Sequence, residues 1–487
     1  MNSKTDKSES FLKSFVAVGA ATVINLVIGF LTTPVITRIV DPADNGKFSI
    51  FSMYTGLVIT FFCFGLDQAL VRFYYNKKEL SYKRRIILEA AVIPVLATTF
   101  LMLLALIAVK LNLFKFEFDW FCTVFLAINI FTNVIFRFVL LVIRLNKCNS
   151  LYGAIQVLEK ALYIVLALLF LIVLKMNGVY SLVVSTVSTV LVALVVASFS
   201  QREYLFGKHE RPFIDKVEFK SMLRFGFPYI FSMGITNLFQ SLDKMAINHY
   251  ETYYDVGVYT SALTIMSLFQ VLQTSFNAVW APKSIEHYEK NPEEKAFYNT
   301  AFNAITVLMF GMGIALILFK DIIALLLGSK YREAAFYMPF LIFYPIMYTI
   351  SETTVGGINF SKKSYLHIII AAISCLCNFI GNTTLVPLIG CRGAAISTGI
   401  SYIVFFLLRT ILAERNYKVG FRLYKLFLLT FVVVGYAAYN SYFRFGIISI
   451  LLALVCYFVL IICYRDTIKW GWGYLRANFS LKMFRKK

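Results

Sequence analysis

The chain has 487 residues, 59% of them hydrophobic and only 15% charged, with 48 Phe and 29 Tyr. So little polar surface cannot cover a water-soluble globule, which excludes a soluble enzyme or binding module. The 47 Lys and Arg against 26 Asp and Glu give a formal charge of +21, which in so apolar a chain points to cations held on one side of a bilayer rather than to nucleic acid.

A bilayer core takes roughly 20 apolar residues per helix. Fourteen stretches qualify: 14–37, 48–70, 86–109, 120–143, 153–174, 179–199, 226–249, 257–281, 297–319, 336–358, 365–386, 393–412, 425–440 and 446–463. The expected class is an all-α polytopic membrane protein. The polar start MNSKTDKSESFLK leads into an apolar run too long for a signal-peptide core, so the first stretch is read as a retained span. Counting a cation in a span's terminal turn with the adjoining loop, the side that holds the N-terminus carries 34 Lys and Arg and the other side 10. Arg137, Lys160 and Lys244 remain inside spans. Such a bias places both termini in the cytoplasm.

Taken in order, the spans admit polar residues at helical spacing. The second ends in FGLDQALVRFYYNKKELSYKRR (64–85), where Asp67 and Arg72 precede a burst of cations. These two lie near the inner surface and pair either with each other or with lipid phosphate. The fourth span carries Asn129, Asn133 and Arg137, and the fifth Gln156, Glu159 and Lys160. Arg137 and Lys160 either snorkel to the surface or face a substrate. A polar loop, 200–225, separates the first six spans from the next eight.

The seventh span carries Asn237, Gln240, Lys244 and Asn248 on one stripe, with Asp243 beside it, and the eighth carries Gln270, Gln273 and Asn277. Glu352 lies in the tenth, and Ser374, Asn378 and Asn382 in the eleventh. Amide stripes either glue helices together or line a water-filled cavity. The mid-membrane stripes of spans seven and eight favour the cavity. Arg72, Arg137, Lys160 and Lys244 would suit an anionic substrate, and Asp67, Glu159 and Asp243 an ion relay. A weak internal repeat joins the two halves: DPADNGKF (41–48) matches ETYYDVGVY (251–259), and Leu12-Lys13-Ser14 matches Phe219-Lys220-Ser221.

No phosphate-binding loop, HExxH, GxSxG or Cys/His metal spacing occurs. The eight cysteines are scattered and read as packing residues. No catalytic residue, metal or cofactor is expected.

Several stretches resemble the polysaccharide flippases of the multidrug/oligosaccharidyl-lipid/polysaccharide exporter superfamily. They are TRIVDPADNGKFSIF (37–51), FGLDQALVRFYY (64–75), FGFPYIFSMGITNLFQSLDKMAINHY (225–250) and NFIGNTTLVPLIGCRGAAISTGISYIV (378–404). The resemblance implies two pseudo-symmetric six-helix lobes, 1–199 and 226–412, around a central cavity, with 200–225 as a cytoplasmic linker. Residues 413–487 would add two helices and a basic tail. It implies a small-residue turn at Gly390, Gly393, Ala394 and Ala395 where two helices close in.

It also implies a flippase, not an enzyme. Its substrate would be a polyprenyl-pyrophosphate-linked oligosaccharide, moved from the inner to the outer leaflet of a bacterial cell membrane by alternating access, for capsule, O-antigen or exopolysaccharide synthesis. Membrane lipids, and the polymerase and glycosyltransferases of the same pathway, would be its partners. A cation-coupled multidrug exporter is the rival within the superfamily. A membrane glycosyltransferase or polymerase is the rival from another class, although no outer loop here is large enough for its chemistry.

Overall fold

The computed structural model describes residues 24, 28–113, 117–207 and 214–473, with no strand among them. Helices dominate for a physical reason. Without water, each backbone N–H and C=O must bond inside its own segment. Two compact units are formed, Met1–Ser241 and Leu242–Lys487.

The first unit contains α1 (Ile28–Ile39), α2 (Pro42–Phe62), α3 (Leu66–Phe73), α4 (Leu80–Lys110), α5 (Trp120–Leu145), α6 (Asn149–Leu168), α7 (Gly178–Ser200) and α8 (Arg202–Leu205). The division falls inside α9 (Lys216–Tyr250). The second unit continues with α10 (Tyr253–Ser267), α11 (Phe269–Lys290), α12 (Ala296–Leu318), α13 (Lys320–Ala324), α14 (Met338–Leu341), α15 (Phe343–Thr354) and α16 (Gly356–Phe360). It ends with α17 (Tyr365–Ile389), α18 (Cys391–Asn416), α19 (Leu423–Asn440) and α20 (Ile447–Cys463).

Among the described residues, eight helices are long and apolar enough to cross a bilayer, or up to twelve if each of four bent pairs is one span. The expectation of fourteen counts two more. One is 14–37, which lies largely outside the described residues. The other is 226–249, which lies within α9, too polar to qualify by composition.

Two expected single spans are broken, and a third is bent at its start. The stretch 48–70 turns by 53° between α2 and α3, through Phe64 and Gly65, both left-handed with φ of 49° and 66°. The stretch 336–358 is preceded by a 3-10 helix, Ser329–Phe336, and the chain turns by 53° into Met338–Thr354. Pro339 and Pro345, each without an N–H, stand on the far side of that turn. The stretch 257–281 divides at Leu268 into α10 and α11, and no Gly or Pro marks that break. Beyond α20 the expected tail first forms a helix, Arg465–Gly473, turned by 82°.

The weak repeat has a structural counterpart. Asp41 caps α2, accepting from the Ala43 N–H at 3.2 Å, with Pro42 in the first helical turn. Thr252 and Asp255 form a capping box on α10. Each capped helix is the first half of a broken span.

Packing follows burial. Leu66 and Leu70 of α3, Tyr82 and Ile86 of α4, and Val134 and Val142 of α5 form one core of the first unit. In the second unit, α17 and α18 close on each other at the expected small-residue turn. Gly390 takes φ of 60°, and a Cβ on Gly393 would stand 2.4 Å from the Leu385 carbonyl oxygen. Leu96 and Phe100 of α4, and Leu454 and Phe458 of α20, are exposed, as lipid-facing residues should be.

Candidate functional site

In the first unit, Asp67 sits in the opening turn of α3, created by the break after α2. It is buried, at 1% exposure. A carboxylate there gains from the helix N-terminus, and its cation arrives from α5: Arg137 Nε donates to Asp67 Oδ2 at 2.9 Å, and Nη2 donates to the same oxygen. Arg137 keeps 37% of its side chain exposed. Its remaining donors are therefore available to an anion. Asp67 pairs with Arg137, then, and not with Arg72, which is exposed and makes no hydrogen bond or ion pair.

The rest of the α5 stripe turns inward. Asn133 Nδ2 donates to Asn129 Oδ1 at 3.0 Å, and Asn129 Nδ2 to Thr55 Oγ1 at 3.1 Å. These amides fasten α5 to α2. Glu159 and Lys160 line a separate cavity of about 260 Å³ with Phe48, Ser52, Tyr163 and Thr186. Asn237 Nδ2 donates to Thr60 Oγ1 at 2.5 Å. Gln240 is exposed.

The second unit contains a denser polar knot. Asp243 of α9, 5% exposed, accepts on Oδ2 from Tyr259 and Thr398, each at 2.5 Å. On Oδ1 it accepts from Asn378 at 3.1 Å and Asn382 at 2.9 Å. One carboxylate thus ties α9 to α10, α17 and α18. Among the described residues no cation pairs with it: Lys244, half-buried, makes no ion pair or hydrogen bond. Asn382 Oδ1 is buried without a donor. Gln273 and Asn277 are half-buried. The side chain of Gln270 lies outside the described residues.

The predicted stripe on α9 is divided, with Asn237 and Gln240 in the first unit and Lys244 in the second. Among the described residues no group of three His, Cys, Asp or Glu side chains converges as a metal site would. The oxygens around Asp243 are hard ligands, suited to an alkali cation or a proton rather than to a transition metal.

Residues 11–287, more than half of the chain, match the family described as "Polysaccharide biosynthesis protein". The chain belongs to the polysaccharide biosynthesis protein family. It is also similar to an uncharacterized membrane protein, MJ1068, of Methanocaldococcus jannaschii, with 21% identity over 403 residues, 78% of this chain and 79% of that protein. Its fold is similar to that of the lipid II flippase MurJ in an inward closed conformation, with a TM-score of 0.67 at 16% identity over 93% of this chain and all of that one. It is similar also to an inward-facing multidrug-resistance MATE transporter of the MOP superfamily, with a TM-score of 0.55 at 15% identity over 80% of this chain and 94% of that one. The fold of this polysaccharide biosynthesis protein is therefore similar to the one seen in both MurJ and the MATE transporter.

This family member also holds a buried ion pair outside the expected set. Arg409 Nη1 donates to Glu352 Oε1 at 2.9 Å and to Ser351 Oγ at 2.7 Å, beside the stacked rings of Tyr348 and Phe405. Both charges are 7% exposed. Sequence reading marked Glu352 but counted Arg409 with the loop beyond its span. Of the Asp243 knot it found the acid and the Asn378–Asn382 stripe, without joining them. Tyr259 and Thr398 carried no signal.

Proposed function

We propose that this protein flips a polyprenyl-pyrophosphate-linked oligosaccharide from the inner to the outer leaflet of a bacterial cell membrane by alternating access. The observation that carries this reading is Arg137: a guanidinium fixed on a buried carboxylate, with donors to spare. In a chain of the polysaccharide biosynthesis family, the group to be bound by such a cation is a lipid-linked pyrophosphate. Arg137 would hold the phosphate, with Arg72, Lys160 and Lys244 as further cationic positions along its course. Asn237, Gln240, Gln270, Gln273 and Asn277 would offer amides to sugar hydroxyls. Asp243 is the best-supported ion-coupling residue, because Asn382 Oδ1 beside it is an acceptor without a donor; Asp67 and Glu159 are the other candidates.

The likeness to MATE transporters and the uncompensated acid Asp243 support a second reading, a cation-coupled exporter of cationic drugs. A lipid extract from cells lacking the protein, read by mass spectrometry, separates the two. Accumulation of one polyprenyl-pyrophosphate oligosaccharide is the expected result and names the cargo. Unchanged lipids with raised drug sensitivity would overturn it.

A further inference from the structure

At one end of the second unit a cavity of about 420 Å³ opens among the start of α12, the start of α19 and the end of α20. Asn299, Thr300 and Asn303 of α12 line it from one stripe. Arg422 and Lys425 line it from the approach to α19 and its first turn, and Asp466 from the turned helix after α20. Arg422 is exposed and makes no hydrogen bond or ion pair. Lys425 Nζ spends one N–H on the Cys463 carbonyl at 2.8 Å. Asn303 is half-buried and without a partner.

Asn299 Nδ2 donates to the Val419 carbonyl at 3.4 Å, but the unpartnered amide of Asn303 and the bare guanidinium of Arg422 at a membrane helix end are costly unless something polar fills the space between them. The surroundings say what kind of molecule that is. Tyr424 and Leu428 of α19, Ile461 and Ile462 of α20, and Trp470 and Trp472 of the turned helix are all exposed. Polar lining beside apolar helix faces, with tryptophans nearby, is the profile of a bilayer interface. The ligand must then carry an anion and an apolar tail together. A basic pocket between helix ends is also a recurrent form of headgroup site.

We infer that this pocket seats the phosphodiester headgroup of a membrane phospholipid. Arg422 and Lys425 hold the phosphate, Asn299 and Asn303 bond its glycerol and ester oxygens, and the acyl chains lie along α19 and α20. The two cations outweigh Asp466, so the lining stays net positive. With the orientation set by the cation bias, the lipid belongs to the cytoplasmic leaflet. Nothing in this site depends on what cargo is flipped.

The test is photo-crosslinking of the purified full chain with a diazirine-bearing phosphatidylglycerol, with the labelled peptides mapped by mass spectrometry. Label is expected on peptides holding 299–303 and 422–425. Excess unlabelled phosphatidylglycerol should remove it, whereas diacylglycerol and inorganic phosphate should not. The double variant Arg422→Ala/Lys425→Ala should lose roughly tenfold of that label, as two interfacial cations imply. Asn303→Leu, which leaves every charge in place, should weaken it less and guards against a misfolded double variant. Competition by diacylglycerol would show an apolar contact only, and competition by inorganic phosphate a free-anion site. Either result, or label unchanged in the variants, overturns the inference. Because binding is read rather than flipping, failure here leaves the cargo reading untouched.

Discussion

Gly65 and Gly226 meet backbone to backbone: a Cβ built on Gly65 would stand 2.0 Å from the Gly226 carbonyl oxygen. The contact places the break between α2 and α3 directly on α9, so Asp67, two residues on, is positioned by a glycine pair. Gly65→Ala adds strain at a left-handed φ to this clash. We expect Gly65→Ala and Gly226→Ala each to cost about 1–3 kcal/mol, as overpacking does, with a lower melting temperature of the purified protein. Gly56→Ala, in a helix where a Cβ would meet nothing within 4 Å, is the control and should hold or slightly raise stability. Equal melting of all three variants would remove the glycine contact from the account.

Asp67 and Arg137 make a second, separable prediction. Arg137→Ala leaves a carboxylate of 1% exposure without its cation, and truncating one partner of a buried pair costs about 3 kcal/mol or more. Because Arg137 is itself partly exposed, the lower end of that range is expected. The double variant Asp67→Asn/Arg137→Gln removes both charges and should recover most of the stability. If Arg137 holds the cargo phosphate, the double variant should still fail to transport. Full transport by a stable double variant would reduce the pair to a structural role.

These pairings show where reading the chain in one dimension stops. Apolar runs locate helices because the hydrocarbon thickness sets their length, and α4, α5, α17 and α18 follow from that alone. The break at Phe64–Gly65 leaves only a faint trace, since a single glycine is common within spans. Nothing in the periodicity of α5 says that Arg137 will reach an acid 70 residues earlier. Asn378 and Asn382 were visible as a stripe, but a stripe does not say what it faces. Their partner Asp243 stands beside Lys244 in the sequence, but neighbouring residues on a helix point about 100° apart, so the acid faces the amides instead. Arg409 was hidden by its place in a last turn, where a cation normally belongs to the loop.

Asp243 is the place to look for coupling. Asp243→Asn keeps the shape of the knot but replaces two acceptors with one acceptor and one donor, setting an N–H against hydroxyl or amide donors. If the knot carries the coupling ion, whatever cation dependence wild-type transport shows should vanish in this variant. Transport assays in sodium and potassium media, each at two pH values, read this directly. Thr398→Val, which removes one donor without touching charge, should shift the ion dependence rather than abolish it. A variant Asp243→Asn that folds and retains the full wild-type ion response would exclude Asp243.

The start of α9 makes the last prediction. Asp215 Oδ1 accepts from the Val217 and Glu218 N–H groups at 2.9 and 3.3 Å, and the Asp215 N–H donates to Glu89 Oε1 at 2.7 Å. Glu218 is in turn held by Tyr82 at 2.6 Å and Arg85 at 2.5 Å. The two backbone donors hold the Asp215 carboxyl below its ordinary value of 3.8. A folded-state value below the unfolded one means that the cap is fully present at neutral pH. It weakens only as pH falls from the ordinary Asp range through the lowered value. Hydrogen exchange of the peptide covering 216–222, corrected for intrinsic rates, should show constant protection from pH 7 down to about pH 4 and loss below it. Asp215→Ala should expose these amides already at neutral pH. Asp215→Asn, an equally good cap, should protect them without the acid transition. Loss of wild-type protection well above pH 4 would mean that another group, not Asp215, holds the beginning of α9.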